Sequence, residues 1–417
     1  MIISVTEPVL RGELELPVSK SLVQRHWMIR ALHQIPTSYE IGSQIDDLRT
    51  LSHILLHPEA SQWDCQDSGA CARFALALAV QQQHTLRITG GRRLCERPIG
   101  PLVEALKSLG ATITYEGQSG YLPVKVEPSS LTGGRIKIDA SESSQFVSSL
   151  MMLGSLLPGG LEIELEKAPA SWPYIQMTAG VMQAYHLTVE FSDDASDAPL
   201  LINVRPGTAV DIGLPFMEGD WSAAAFWYAA AALSGEADIL LTNLDPFSVQ
   251  GDAVLPDIYD VLGVSTEFLE NGVRLRKAGP PETHQLELDL TDTPDLFPAL
   301  AVTAAGLGLE AELRGIARLA HKESNRPAAL KVELAKIGVN LKVEGDIAHL
   351  PAHEPSPSGS VTFESHGDHR VAMALAPLAL RLRKVSILQP EVVSKSYPQF
   401  WQHMKKCLIL GTVSQES

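Results

Sequence analysis

One unit recurs along this chain and limits its architecture more than any single motif. The segments 103–126 (VEALKSLGATITYEGQSGYLPVKV), 255–277 (LPDIYDVLGVSTEFLENGVRLRK) and 329–351 (ALKVELAKIGVNLKVEGDIAHLP) each open with apolar residues at helical spacing. In each, the helical pattern stops at a glycine, Gly110, Gly263 or Gly338, the residue suited to a left-handed helix cap. An alternating strand follows, then a turn bearing Gly117, Gly272 or Gly345, then a second strand. A fourth copy, Met177–Val204, lacks the cap glycine and carries the longer acidic turn SDDASDA. A helix–strand–turn–strand unit repeated at this scale predicts a stacked or symmetric α/β architecture.

Length and charge narrow what such an architecture does. At 417 residues the chain is long enough for two or three domains, each with its own core. Its 49 Asp+Glu against 33 Lys+Arg give a formal charge of −16, a surface that repels nucleic acid and anionic lipid, so neither is expected as a partner. The longest apolar run, Ala223–Leu233, has eleven residues, where a membrane span needs about 20. The opening MIISVTEPVLRGELELPVSK, with Glu7, Glu13 and Glu15, does not read as a targeting segment, and a cytoplasmic location is expected. Four cysteines, Cys65, Cys71, Cys95 and Cys407, form no CxxC pair, which predicts reduced thiols and no zinc cluster. No Walker loop and no GxGxxG occurs, so nucleotide binding has no support.

Between the repeats lie helices rich in small residues, at 70–80, 143–157, 222–234, 298–306 and 371–380. Their all-round apolar character predicts burial. Several start at polar clusters: DSGA, SESSQ, EGDWS and HGDHR. Such starts supply caps and aim backbone N–H groups and the positive dipole end outward, which suits small anions. Cations cluster in the same regions: Lys20 and Arg25 in PVSKSLVQR, Arg97 in ERPIGPLVEAL, Lys322 and Arg326 in HKESNR, Arg370 in GDHRVAMALAPLAL and Lys395 in SKSYPQFW. Singly, most of these also fit a capped helix start or a solvated charge. Lys322, Glu323 and Arg326 are spaced to share one helix face. Arg370 is harder to dismiss, because a cation at the positive end of a helix calls for an anionic partner. Together they predict a polyanionic small substrate, without which the gathered cations are expected to repel one another.

The ordered segments LPVSKSLVQR, DSGACAR, ERPIGPLVEALKSLGA, SSQF, SWPYI, EGDWSAA, VQGD, TPDLFPALAV, HKESNRPAALKVELAKIG, GDHRVAMALAPLAL and SKSYPQFW run from residue 16 to residue 401. This set resembles the 5-enolpyruvylshikimate-3-phosphate synthase family of enolpyruvyl transferases. The resemblance implies an α/β fold of two similar halves, each of three βαβαββ units around a pseudo-threefold axis with buried parallel helices. It implies a discontinuous domain, 1–18 plus 219–417, an inserted domain, 19–218, and an active site in the cleft between them. The implied reaction passes the enolpyruvyl group of phosphoenolpyruvate to the 5-hydroxyl of shikimate 3-phosphate through a tetrahedral intermediate, with release of phosphate. No metal and no organic cofactor is implied, and the family suggests a monomer.

Carried over by position, the resemblance has Lys20 touch both substrates and counts it among the catalytic residues. Ser21, Arg25, Ser143, Ser144, Ser171 and Lys322 fall on shikimate 3-phosphate, and Gln145 on both substrates. Asp295 matches the proton acceptor, also a ligand of shikimate 3-phosphate, and Glu323 the proton donor. Gly69, Arg97, Arg326, Arg370 and Lys395 fall on the phosphoenolpyruvate site. The chain departs from the family at Asp67 (usually Asn), Ala70 (Thr), Asn325 (Asp) and Gly367 (Asn), and carries Val18 in its PGSKS-like segment. Two other readings compete. The sister enzyme acting on UDP-N-acetylglucosamine has a reactive cysteine after a glycine pair, where this chain has Arg92, with Cys95 two residues before Arg97. A non-catalytic binder of a phosphorylated acid has no need of both a proton donor and a proton acceptor.

Overall fold

The computed structural model describes residues 1–169, 171–192, 200–354 and 360–415. The chain divides into two compact units, Met1–Ser19 with Glu218–Ser417, and Lys20–Met217. Ser19 and Glu218 belong with the first unit because the chain ends are zipped there. Val18 bridges Gly219, the Ser19 N–H donates to the Glu218 carbonyl at 2.8 Å, and the Asp220 N–H donates to Pro17 at 2.8 Å.

In the first unit, strand Gln285–Asp289 runs parallel to Glu310–Arg314, with helix Phe297–Leu307 between them in sequence. Helix Arg326–Ala335 follows, then the antiparallel pair Lys342–Glu344 and Ile347–Leu350, which joins Glu310–Arg314. This βαβαββ order recurs at 62–127 and 134–204 in the second unit. The long first strand, Ile2–Glu15, serves two such units in a seven-stranded sheet. Its Val9–Glu15 end lies parallel to Glu236–Thr242, and its Ile2–Ser4 end pairs antiparallel with both Lys384–Leu388 and Leu408–Ser414.

The second unit holds only two complete βαβαββ units among the described residues, not the three the resemblance implies. Its remaining helices, Lys20–Leu32 and Asp46–Leu56, have no sheet of their own. The flanking segments 33–45 and 205–217 carry Pro36, Pro206 and Pro215, which lack the N–H a ladder needs.

Each unit centres on three buried helices that touch one another: Lys20–Leu32, Gly69–Ala79 and Ser144–Gly154 in one, Trp221–Leu233, Phe297–Leu307 and His369–Leu375 in the other. The sequence explains their burial. In Trp221–Leu233 every residue is buried, and its alanines let neighbours approach closely. Gly306 is needed for the same reason, since a Cβ there would lie 2.4 Å from Leu233 Cδ2. No described helix is long and apolar enough to cross a membrane, and the four cysteines are free thiols.

The repeat caps form as the glycines require. Gly110, Gly263 and Gly338 have φ of +106°, +80° and +81°. Ala111 and Val339 each donate back to a carbonyl five residues earlier, Leu106 and Leu334. The fourth copy keeps this geometry without glycine: His186 takes φ +62° and Leu187 donates to Met182 at 3.0 Å. Its acidic turn lies outside the described residues from 193 on. A left-handed non-glycine residue costs about 1–2 kcal/mol, part of which glycine returns in unfolded-state entropy. His186→Gly is therefore expected to stabilise the second unit by about 0.5–1 kcal/mol in urea denaturation. Gly338→Ala, which meets no atom within 4 Å, should destabilise the first by about 1 kcal/mol through backbone strain alone. Equal loss from both substitutions would show that the caps are not the source.

Candidate functional site

The residues singled out in the sequence fall into two groups, one in each unit. In the unit built on Glu218–Ser417 the centre is Arg326, 1% exposed. It opens helix Arg326–Ala335, where a cation opposes the helix dipole. Three carboxylates compensate. Arg326 donates through Nη1 to Asp295 at 2.7 Å, through Nη2 to Glu323 at 2.8 Å and through Nε to Asp368 at 2.9 Å. Burial alone would lower its pKa, but the carboxylates of Asp368, Glu323 and Asp295 raise it, so the charge is fixed.

The other cations close the cluster. Arg370 Nη2 donates to Asp295 Oδ2 at 3.1 Å, and Lys395 Nζ lies 3.2 Å from Glu323 Oε1. Asp295 is thus the anionic partner the position of Arg370 demands. Burial pushes the Asp295 carboxyl up, but Arg370, Lys322 and Arg326 together hold it well below the usual carboxylate range. Asp368 caps its helix by accepting from the Arg370 N–H at 2.9 Å and also accepts from Ser324 Oγ at 3.1 Å. Lys322, Arg326, Arg370 and Lys395 therefore meet three acids, Asp295, Glu323 and Asp368. The mutual repulsion expected of these cations is offset by the internal carboxylates that interleave with them.

Two local expectations change. Lys322, Glu323 and Arg326 do not share a helix face: Lys322 is extended, and the helix starts only at Arg326, with Pro327 in its first turn. Asn325 is the N-cap, its Oδ1 accepting from the Ala328 N–H at 3.1 Å, so this departure from the family keeps a capping function. Likewise Arg97 does not open a helix. It sits in a turn after Arg92–Cys95, and the next helix begins at Gly100 with Pro101 in its first turn.

In the unit Lys20–Met217 the cations meet fewer acids. Lys20 opens its helix and pairs with Asp47 at 2.6 Å. Arg25 is buried, and its donors go to Thr178 Oγ1, Ser148 Oγ and the carbonyls of Ser21 and Tyr174. None is a carboxylate, and burial pushes the guanidinium down to about 10. Ser143 caps helix Ser144–Gly154 by accepting from the Gln145 N–H at 3.3 Å. Ser144 is buried, and Gln145 Oε1 is buried without a hydrogen-bond partner among the described residues. Ser171 precedes helix Trp172–Ala184 at φ +56°, a strained setting for serine. The Arg97 guanidinium rests on Gly69, where a Cβ would lie 2.5 Å from Nη1. A side chain at Gly69 would therefore displace that guanidinium.

Sequence reasoning passed over several supports. Arg73 donates to the Gly69 and Pro98 carbonyls at 3.1 and 2.7 Å, tying the Gly69 helix to the turn that carries Arg97. Glu333 accepts from the Glu364 N–H at 2.9 Å, and its other oxygen faces His366 Nε2 at 2.9 Å, which anchors the turn leading to Asp368. Glu333 lies seven residues after Arg326, the one sequence signal that could have marked it. Asp252, in the VQGD segment, is buried and accepts from Ser222 Oγ.

The chain matches the family described as EPSP synthase (3-phosphoshikimate 1-carboxyvinyltransferase) over residues 25–404. It is 35% identical over 399 residues to a 3-phosphoshikimate 1-carboxyvinyltransferase of Bacteroides fragilis, covering 95% of each chain. Against the protein of that name from Methanoculleus marisnigri it is 35% identical over 339 residues, covering 81% of this chain and 78% of the relative. A solved EPSP synthase from Acinetobacter baumannii shares the fold, with a TM-score of 0.73 at 21% identity over 99% of this chain and 100% of that one.

Asp252 offers a test of the cluster's electrostatics. Burial, and then the Asp295 carboxylate, push its carboxyl up to about 7. Between the ordinary value near 4 and this one, the folded state binds more protons than the unfolded, so stability falls as pH rises across that window. Asp252→Asn keeps an acceptor for Ser222 and removes the titration. It is expected to be more stable than the parent by about 1–3 kcal/mol at pH 8 and level with it near pH 4, in denaturant unfolding. A constant offset at both pH values would refute this.

Proposed function

The chain belongs to the EPSP synthase family, and we propose that it transfers the enolpyruvyl group of phosphoenolpyruvate to the 5-hydroxyl of shikimate 3-phosphate. The observation that carries the reading is the Arg326 cluster. It gathers a proton-accepting carboxylate, Asp295, a carboxylate–ammonium pair, Glu323–Lys395, and two guanidinium groups. The reaction needs this set: a base for the hydroxyl, an acid for the methylene carbon, and cations for the phosphate and carboxylate of the enol substrate.

In this reading the 5-hydroxyl oxygen adds to C2 of the enol as its proton passes to Asp295. A proton adds to C3 from the Glu323–Lys395 pair. Loss of that C3 proton and of phosphate then restores the double bond. Asp295 begins as a weak base, since Arg370 and Arg326 both hold it. An arriving phosphate or carboxylate competes for those guanidinium groups, and the basicity of Asp295 rises as they turn away. Substrate binding thus prepares its own base. Ser21, Arg25, Ser143, Ser144, Ser171, Asp295 and Lys322 serve shikimate 3-phosphate, Gly69, Arg97, Arg326, Arg370 and Lys395 serve phosphoenolpyruvate, and Lys20 and Gln145 serve both. The two groups act on one substrate pair, in a monomer of the cytoplasm.

Phosphate release from phosphoenolpyruvate plus shikimate 3-phosphate tests the activity. Turnover is expected with that acceptor and not with UDP-N-acetylglucosamine, and the reverse would overturn the reading. Asp295→Asn should lower kcat by about 10²–10⁴, and normal kcat with a lowered Tm would reduce Asp295 to a structural residue. Arg370→Ala should raise KM for phosphoenolpyruvate far more than KM for shikimate 3-phosphate, since loss of a desolvated charge pair costs about 2–5 kcal/mol. Equal weakening of both would move Arg370 out of the enol site.

A further inference from the structure

Ser68 occupies the N-cap position of helix Gly69–Ala79 yet does not cap it. It is 2% exposed, and its Oγ has no hydrogen-bond partner among the described residues. At the corresponding starts of other helices the polar side chain does cap. Ser143 accepts from Gln145, Asp220 from Ser222 and Asp368 from Arg370. An unpaired buried hydroxyl is destabilising, a loss an ordinary capping bond would have avoided.

Its neighbours are unsatisfied as well. The first-turn N–H groups of Gly69, Ala70 and Cys71 find no acceptor among the described residues, as the start of a helix allows. Arg97, 9% exposed, lies with its guanidinium against Gly69. Its Nε is buried and unpaired, and no described carboxylate pairs with the group. A buried guanidinium without a counter-charge, three free amides and an unpaired hydroxyl on adjoining residues are all donors. The missing partner is an acceptor with several oxygens and a negative charge. Arg73 ties the two segments together by bonding the Gly69 and Pro98 carbonyls, which opposes relaxation of the turn.

We propose that the Ser68 hydroxyl is a ligand of the phosphate group held by Arg97 and the start of the Gly69 helix. It adds a donor that the reading above does not include. The inference rests on that reading for the identity of the phosphate as that of phosphoenolpyruvate. The chemistry itself requires only a tetrahedral oxyanion, whose three terminal oxygens can take guanidinium, amide and hydroxyl donors at once. A planar carboxylate offers two oxygens and leaves one kind of donor unused.

Ser68→Ala separates a ligand from a cap. If Ser68 binds phosphate, KM for phosphoenolpyruvate rises about tenfold or more, as loss of a hydrogen bond to a charged group implies. KM for shikimate 3-phosphate stays unchanged, and Tm without ligand is unchanged or raised, because an unpaired buried hydroxyl has been removed. Binding of inorganic phosphate, followed by calorimetry, weakens in the same proportion. That arm needs no turnover, so it stands even where the parent protein fails to release phosphate from the substrate pair, which is a failure of the proposed reaction alone. Unchanged affinity for both phosphoenolpyruvate and inorganic phosphate overturns the inference whatever happens to Tm. A fall in Tm with equal weakening of shikimate 3-phosphate overturns it as well, by showing a structural role. Ser68→Thr, which keeps the hydroxyl, should retain most of the phosphate affinity, and loss equal to that of Ser68→Ala counts against the ligand.

Discussion

A single buried guanidinium organises the unit that carries Asp295. Taking Arg326 out of water costs several kcal/mol unless its donors are satisfied and its charge is matched. It is satisfied three times over, by Asp295, Glu323 and Asp368. Those acids come from the turn before helix Phe297–Leu307, the loop before Arg326 and the start of helix His369–Leu375. Two like charges about 4 Å apart repel by about 4 kcal/mol near a protein surface, and Arg326 is the one cation that bonds all three carboxylates and offsets that repulsion. Arg326 is therefore the reason that these starts meet. Losing it would take the guanidinium from Asp368 and leave Asp295 and Glu323 with fewer cations, Arg370 and Lys395 among those that remain, whereas losing one acid leaves Arg326 paired with the other two.

The acidic composition of the chain acquires a local meaning here. A set of cations meant for a polyanion would destabilise its own fold when empty. In this unit each is lent a carboxylate: Asp295 to Arg370, Glu323 to Lys395, all three to Arg326. In the proposed reaction two of these carboxylates, Asp295 and Glu323, serve as the proton-transfer groups. Exchange of internal for external anions then couples binding to basicity, because the oxygen freed from a guanidinium is the oxygen that can take a proton. This coupling needs the exchange to be nearly balanced. A carboxylate bound too tightly would exclude the substrate, and one bound too weakly would leave the cations to repel.

Much of this was legible in the sequence, for identifiable reasons. The repeat was visible because glycine caps and alternating strands act over a few residues. The burial of Trp221–Leu233 and its counterparts followed from apolar residues on every face. Position within the matched segments marked Arg326, Arg370 and Asp295, but not their pairing. Asp295 and Arg370 are 75 positions apart and Arg326 and Asp368 are 42, so no periodicity links them. The cap at His186 was hidden because composition names glycine for φ > 0, while tertiary packing can impose that angle on histidine. The sheetless helices Lys20–Leu32 and Asp46–Leu56 were hidden by the opposite error, extension of a symmetry past the point where proline ends it. Ser68 escaped notice because serine before a helix reads as a cap, and only coordinates show that it makes no capping bond.

The two units solve the same electrostatic problem differently, and the difference has a physical consequence. Around Arg326 the cations are neutralised by acids, so an incoming anion must displace a partner. Around Arg25 and Arg97 the neighbours are hydroxyls, carbonyls and backbone amides, so an incoming anion displaces no acid. A buried cation among neutral dipoles is the costlier arrangement in isolation, as the lowered pKa of Arg25 records. It is also the better receptor, because the full charge interaction is available when the anion arrives in a low-dielectric setting. Selectivity follows from the contrast. The neutral-lined group favours any phosphate whose oxygens fit its donors. The acid-lined group favours only an anion able to outcompete a carboxylate already in place, and in the proposed reaction that exchange acts on the carboxylate that takes the proton.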